Sequence, residues 1–261
     1  MGARRTWTYH SHFQEIAVLE TDTWGRVLVL DGLIQKTDRD EFIYHEMLAH
    51  VALSTHPAPT SVLIVGGGDG GTLREVLRHP ITRVTLCEID PTVIEVVKKH
   101  WPDEAAVFSD SRARIVHMDG RQFLEETDET YDVILVDSSE PVSHSRTLFS
   151  DGFIHQVCRR LNQPGIYVSQ SLSPFYAAPF LREFVHQLRE RFDRVEVYLA
   201  PVAAYPAGWW SFTFATNSTH INPKDPRPEV IKRLDGLRYY TPQVHKAAFA
   251  LPKFLETELE P

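Results

Sequence analysis

The sequence predicts an α/β fold, a mostly parallel sheet with helices on both faces, preceded by a small N-terminal β domain. Two observations predict the main sheet. From Ser61 onward, short apolar runs alternate with segments of helical periodicity, the pattern expected of βαβ units. The first run, 62–65, leads through the glycine-rich turn Gly66-Gly-Gly-Asp-Gly-Gly71 into Leu73, Val76 and Leu77 at helical spacing. A third observation predicts the smaller domain: residues 7–40 carry strand-like runs joined by turns.

Within that first segment, 15–20 and 26–30 are strand-like, with 21–25 as the turn between them. Asp31-Gly32 marks a second tight turn before 33–35. Residues 40–51 read as a helix, with Phe42, Ile43, Met47 and Leu48 toward the core. The stretch His56-Pro-Ala-Pro59 bounds the two parts, an N-terminal β domain with its linking helix at 1–57 and a larger domain at 58–261. In the larger domain, strands are expected at 61–65, 83–88, 113–117, 131–136, 165–170, 194–199 and 210–215. Helices are expected at 71–79, 91–100, 120–126, 150–161 and 176–191. Asp90 before Pro91 is a strong helix start, a capping carboxylate followed by a proline that needs no N–H partner. From Asn222 the chain is proline-rich and then weakly helical.

Composition narrows the partners. The chain is 43% hydrophobic, enough for a sizeable core, and its formal net charge of −8 argues against nucleic acid as a partner. No run approaches the roughly 18 apolar residues of a membrane span. The N-terminus lacks a signal-peptide core, and Met1-Gly-Ala-Arg-Arg-Thr6 matches only the loose myristoylation pattern. No membrane partner is expected. Cys87 and Cys158 form no C-x-x-C pair, so a reducing, cytoplasmic compartment is the simple inference.

The glycine turn carries the chemistry. Gly66, Gly68 and Gly71 fit G-x-G-x-x-G, and Glu88 ends the next apolar run, as in a dinucleotide fold. Asp69 sits inside the turn, however, and would repel a pyrophosphate. A cationic ligand such as a sulfonium nucleoside suits it better, and Glu88 can accept from ribose hydroxyls in either case. The other strand ends are also acidic: Asp119-Gly120 follows 113–117, and Asp137-Ser-Ser-Glu-Pro141 follows 131–136. Asp69, Glu88, Asp119, Asp137 and Glu140 are thus expected at the carboxyl edge of the sheet, where ligands of such folds bind. Each alone reads more readily as a helix cap or turn residue than as a ligand. Together they call for a cation among them. His117 is the one histidine near these positions in sequence. It is read as structural, so no metal is expected.

Eight stretches make the chain recognisable: Phe13-Gln-Glu15, Val29-Leu-Asp-Gly32, Thr37-Asp-Arg-Asp-Glu-Phe-Ile-Tyr-His-Glu-Met47, Val65-Gly-Gly-Gly-Asp-Gly-Gly71, Cys87-Glu-Ile-Asp90, Asp137-Ser-Ser-Glu-Pro141, Tyr205-Pro-Ala-Gly208 and Tyr240-Thr-Pro-Gln-Val-His-Lys-Ala247. In this order they resemble the polyamine aminopropyltransferases. The resemblance implies a small β domain followed by a methyltransferase-like Rossmann domain. It implies transfer of the aminopropyl group of decarboxylated S-adenosylmethionine to an amine, usually putrescine. The nucleoside is then a co-substrate and no cofactor is resident. By resemblance Asp137 is the general base, while Tyr44, Glu140, Gln170 and Tyr205 bind the amine. Gln14, His45, Asp69, Glu88, Asp119 and Gly120 bind the nucleoside. A homodimer or homotetramer is implied.

The chain departs from the family at three places. Val142-Ser143-His144-Ser145 replaces the usual glycine-proline loop, and Ala203-Ala204 precedes Tyr205 where Pro-Thr is usual. The first β-hairpin, before Phe13, reads as short or absent. These departures leave other amines open as substrates: cadaverine, agmatine, 1,3-diaminopropane or spermidine. Trp209 and Trp210 either line the amine channel or pack in the core. A methyltransferase would share the nucleoside site, but Asp69 and Asp137 would repel the carboxylate of its cofactor. A non-catalytic binder would need no base at position 137.

Overall fold

The computed structural model describes residues 2–140 and 143–260. It has two sheets. The first is a four-stranded antiparallel meander, β1 (Ala3–His10), β2 (Glu15–Thr21), β3 (Gly25–Leu30) and β4 (Leu33–Thr37), paired in chain order. The strand before Phe13, read from sequence as short or absent, is therefore present. β1 pairs with β2 from Ala3↔Thr21 to His10↔Glu15. Its residues are largely exposed, so it lacks the apolar alternation by which a strand is recognised.

Helix α1 (Glu41–Thr55) follows, longer than the expected 40–51. Every residue from Tyr44 to Thr55 is buried. The helix continues through Ala52-Leu53-Ser54-Thr55 because it is enclosed on all sides, and stops ahead of Pro57, which cannot donate into a next turn. Phe42 is only half-buried, under the Arg238 guanidinium.

The second sheet alternates with helices: β5 (Ser61–Gly66), α2 (Gly71–Leu77), β6 (Arg83–Cys87), α3 (Pro91–His100), β7 (Ala113–Val116), α4 (Gly120–Glu126) and β8 (Tyr131–Asp137). It continues with α5 (Asp151–Arg160), β9 (Leu161–Gln170), α6 (Ala178–Arg189), β10 (Arg194–Ala200) and β11 (Trp210–Thr216). The strand order is β10-β11-β9-β8-β5-β6-β7. Pairs among β5 to β9 are parallel, and β11 is antiparallel to both β9 and β10. This is a Rossmann-like sheet of the methyltransferase type. Three short helices, α7 (Pro228–Ile231), α8 (Pro242–Ala248) and α9 (Lys253–Leu259), make up the helical part of the tail.

Differences from the expected boundaries are confined to element ends. α2 stops at Leu77, α5 yields to β9 at Leu161, and α6 spans Ala178–Arg189. Ser150 and Asp90 cap α5 and α3 through their side chains. Among the described residues, no helix is long and apolar enough to cross a membrane.

The chain order reverses between β5 and β8: β6 and β7 extend the sheet one way, β8 and β9 the other. Ligand crevices form at such switch points, outside the carboxyl ends of the strands. The apolar runs of β5 and β8 are fully buried and leave their polar ends, Gly66 and Asp137, side by side.

Candidate active site

A cavity of about 390 Å³ opens at that edge. Asp69, Glu88, Asp119, Asp137 and Glu140 all line it, as do Gln14, Tyr44, His45, Gly120 and Tyr205. Gln170 does not. It is fully buried behind the wall, where its amide donates to the Ser139 carbonyl (3.3 Å) and accepts from the Leu172 N–H (3.1 Å). Its side chain braces the loop after β8, whereas the sequence reading expected it to meet the amine.

The glycine turn has its composition because nothing larger fits. A Cβ on Gly66, at φ +82°, would overlap the Asp137 carbonyl, and one on Gly71 would overlap the His45 ring. The turn can therefore lie against β8 on one side and α1 on the other.

Backbone donors hold the carboxylates nearest the turn. Glu88 accepts from Gly68 N–H (3.0 Å) and Asp90 N–H (2.9 Å), one on each oxygen. Burial nevertheless pushes its carboxyl up to about 7. Asp119 caps α4 by accepting from Arg121 and Gln122 N–H groups (2.9 and 3.0 Å) while facing the cavity. Asp119 is thus both a helix cap and a cavity-lining residue. Gln14 donates to Asp90 (2.9 Å), as does the Ser11 hydroxyl (2.7 Å), so the loop after β1 is tied to the residue that supports Glu88.

Asp137 is held by side chains from other elements. Tyr44 of α1 donates to its Oδ1 (2.8 Å), and Thr72 of α2 donates to its Oδ2 (2.6 Å). Burial first, then the charge of Asp69, push its carboxyl above the usual range, against the charge of His45 and these two hydrogen bonds. Tyr205 stands beside Tyr44, ring centroids 5.7 Å apart, with its hydroxyl donated to the Gln35 carbonyl (2.7 Å). The Ala204 N–H donates to Asp40 (2.8 Å). Trp210 is buried against Tyr205 and lines the cavity, whereas Trp209 is partly exposed and packs on Phe175. The two tryptophans thus take different roles.

Glu140 has its carboxyl raised by burial, which a hydrogen bond from Tyr176 opposes. The departure at Val142-Ser143-His144-Ser145 begins outside the described residues. Past Val142, Ser143–Phe149 forms a short 3-10 helix in which Ser145 donates to the Glu140 carbonyl and lines the cavity.

His117, read as structural within a strand, lies past the end of β7 and is exposed. The histidine among the carboxylates is His45. Its ring, Asp69 and Asp137 offer atoms within 4.8 Å of one another. His45 Nδ1 lies 2.6 Å from Glu41 and Nε2 lies 3.2 Å from Asp69, so each ring nitrogen faces a carboxylate.

Sequence reading missed Thr72, Glu41 and Tyr176. Glu41 carried a signal, since its distance of four residues from His45 on a helix puts the two side chains on one face. Tyr176 carried none, because its loop meets Glu140 only through the fold.

A Rossmann-like sheet with this carboxylate-lined cavity defines the broad class, an enzyme of the methyltransferase-like fold acting on a small ligand. Comparison with known proteins narrows it. Residues 41–225 match the spermine/spermidine synthase domain, and residues 7–38 match the spermidine synthase tetramerisation domain. A polyamine aminopropyltransferase of Caldicellulosiruptor saccharolyticus is 42% identical over 97% of this chain and 91% of its own length. Another, of Moorella thermoacetica, is 42% identical over 95% of this chain and 87% of its own. The crystal structure of spermidine synthase from Thermotoga maritima superposes with a TM-score of 0.93 at 39% identity, covering 99% of this chain and 89% of that one. A spermidine synthase in complex with the transition-state analogue AdoDATO superposes at 0.95, with the same identity and coverage. The chain belongs to the spermine/spermidine synthase family, whose members are aminopropyltransferases.

Proposed function

We propose that this enzyme transfers the aminopropyl group of decarboxylated S-adenosylmethionine to putrescine, giving spermidine and 5′-methylthioadenosine. The observation that carries the reading is Asp137: a half-buried carboxylate at the end of β8, raised above the ordinary range, in a cavity lined by further carboxylates. The nucleoside is a co-substrate, and no resident cofactor or metal takes part.

The neutral amine attacks the carbon next to the sulfonium. The carbon–sulfur bond breaks, and its electron pair stays on the sulfur of methylthioadenosine. The attacking nitrogen's surplus proton passes to Asp137 as general base. A sulfonium carbon is already activated, so alignment supplies much of the remaining acceleration. Tyr44 and Tyr205 wall the amine channel with aromatic faces suited to a cationic alkyl chain, and Glu140 binds the distal ammonium. Glu88 holds the ribose hydroxyls, and Asp119 with Gly120 holds the adenine. Gln14, His45 and Asp69 surround the aminopropyl end. The match of residues 7–38 to a tetramerisation domain supports a homodimer or homotetramer built through the N-terminal sheet. Two free cysteines accord with a cytoplasmic location.

Product analysis by mass spectrometry tests the reading. The enzyme receives decarboxylated S-adenosylmethionine with equimolar putrescine, cadaverine, agmatine, 1,3-diaminopropane and spermidine. Spermidine is the expected dominant product. A different polyamine would move the assignment to that amine. No methylthioadenosine with any amine would overturn the transfer itself.

A further inference from the structure

Glu41 is not part of the cavity wall, yet it is the hub of a charged network behind it. Its Oε2 lies 2.6 Å from His45 Nδ1 and 2.8 Å from the Arg74 guanidinium. Arg74 also pairs with Glu75 (2.7 Å) and Glu104 (3.0 Å), and Glu104 receives the fully buried Lys36 ammonium (2.7 Å). On its far side, His45 Nε2 meets Asp69 Oδ2 at 3.2 Å.

Geometry sets the protonation of this ring. An ionised carboxylate accepts and cannot donate, and a neutral imidazole donates from only one nitrogen. With a carboxylate oxygen against each nitrogen, a neutral His45 would turn a lone pair on one of them. The imidazolium alone satisfies both. Burial opposes the charge, but Asp69 and Glu41 together outweigh it and push His45 up to about 10. Glu41 in turn is lowered to about 2 by His45, Arg74 and Lys36, against its own burial.

The consequence falls on the cavity. Asp69 is buried and Asp137 half-buried, and their carboxylates lie close enough to hold one ligand, so each disfavours the other's ionisation. Asp69 is drawn well down by His45 and Lys36, and by the Gly71 N–H (3.0 Å). Asp137 has hydroxyl donors, Tyr44 and Thr72, and among the described residues no cation bonded to it; the His45 charge lowers it too, but burial and Asp69 prevail. Environments that push two carboxylates apart mark which one accepts the proton.

We propose that Glu41 is a positioning residue: by holding His45 as an imidazolium it keeps Asp69 ionised, which directs the amine's proton to Asp137. The groups that face His45 are Glu41 from its own helix, Asp69 from the glycine turn and Asp137 from the end of β8. Arg74 and Lys36 act behind Glu41. The statement rests on the aminopropyl-transfer reading only in its last clause.

The test uses the full-length enzyme with isotope-labelled histidine, the His45 ring signals being assigned by their loss in His45→Gln. In the wild type the ring is expected to stay doubly protonated from about pH 6 to about pH 9. In Glu41→Gln it is expected to titrate inside that window. The same variant should lose roughly ten-fold or more in kcat/KM for the nucleoside at the alkaline end. It should recover most of this at the acid end, where the ring recharges. Glu41→Asp, which retains the charge, should flatten the profile again. A His45 that stays charged in Glu41→Gln, or a loss of equal size at both ends, would overturn the proposal. The spectroscopic arm needs no substrate. A wrong reading of the reaction would leave a titrating His45 with a wild type that turns nothing over. A wrong reading of Glu41 would leave normal wild-type turnover with an unchanged His45 in the variant.

Discussion

At the glycine-turn end of the cavity, carboxylates are held by the backbone. Glu88 is bonded by Gly68 and Asp90 N–H groups and Asp119 by those of Arg121 and Gln122, while Asp69 combines the Gly71 N–H with the His45 ring. At the other end, Asp137 is held by the hydroxyls of Tyr44 and Thr72, which arrive on α1 and α2. Backbone donors come with the strand–turn–helix geometry and stay put when a neighbouring side chain changes. Side-chain donors can be removed one at a time. One end is therefore held largely by donors that come with the local chain path, the other by donors that depend on how separate helices pack.

The largest expected effect breaks that comparison at its reactive end. Asp137→Asn should lower kcat by about 1,000-fold, within the range of general-base contributions. Nucleoside binding, measured by calorimetry, should stay within a few-fold, because its carboxylates hang on other backbone groups. Turnover within ten-fold of wild type would remove Asp137 from the mechanism. Next in size, Glu140→Gln should raise the amine KM roughly ten-fold, the loss of one charge-assisted contact, and leave the nucleoside KM alone. An unchanged amine KM would take Glu140 out of contact with substrate.

The smallest effect sharpens the comparison through pH. Asp137 must be ionised to accept a proton, and burial and Asp69 raise it above the ordinary carboxylate range. Activity should therefore be lost on acidification earlier than an exposed aspartate would give, as pH falls through that raised value. Asp69→Asn removes the like charge, so the acidic limb of kcat should move to lower pH. A limb that stays in place would show that burial alone sets it.

The acidic strand ends were legible because each follows an apolar run directly. A buried parallel strand must end where its backbone meets solvent or ligand, so position in the chain predicts position in space. The caps at Asp90 and Asp119 were legible for a similar local reason. Gln170 also ends a strand, but its amide is taken up by Ser139 and Leu172 in the neighbouring loop. No sequence spacing announces that pairing. β1 was missed because both of its faces are largely exposed and its pattern lacks a period.

By itself the sequence determined the alternating α/β sheet, the turn that only glycine can make and the line of carboxylates along one edge, because all of these follow from local periodicity and chain direction. Only the tertiary structure decided what surrounds each carboxylate. Tyr44 and Asp137 are 93 positions apart, and Glu41 and Arg74 are 33 apart. Their meeting depends on how α1 packs against the sheet. Whether a carboxylate is poised to take a proton depends on burial and on neighbouring charges, and both are properties of the packed interior.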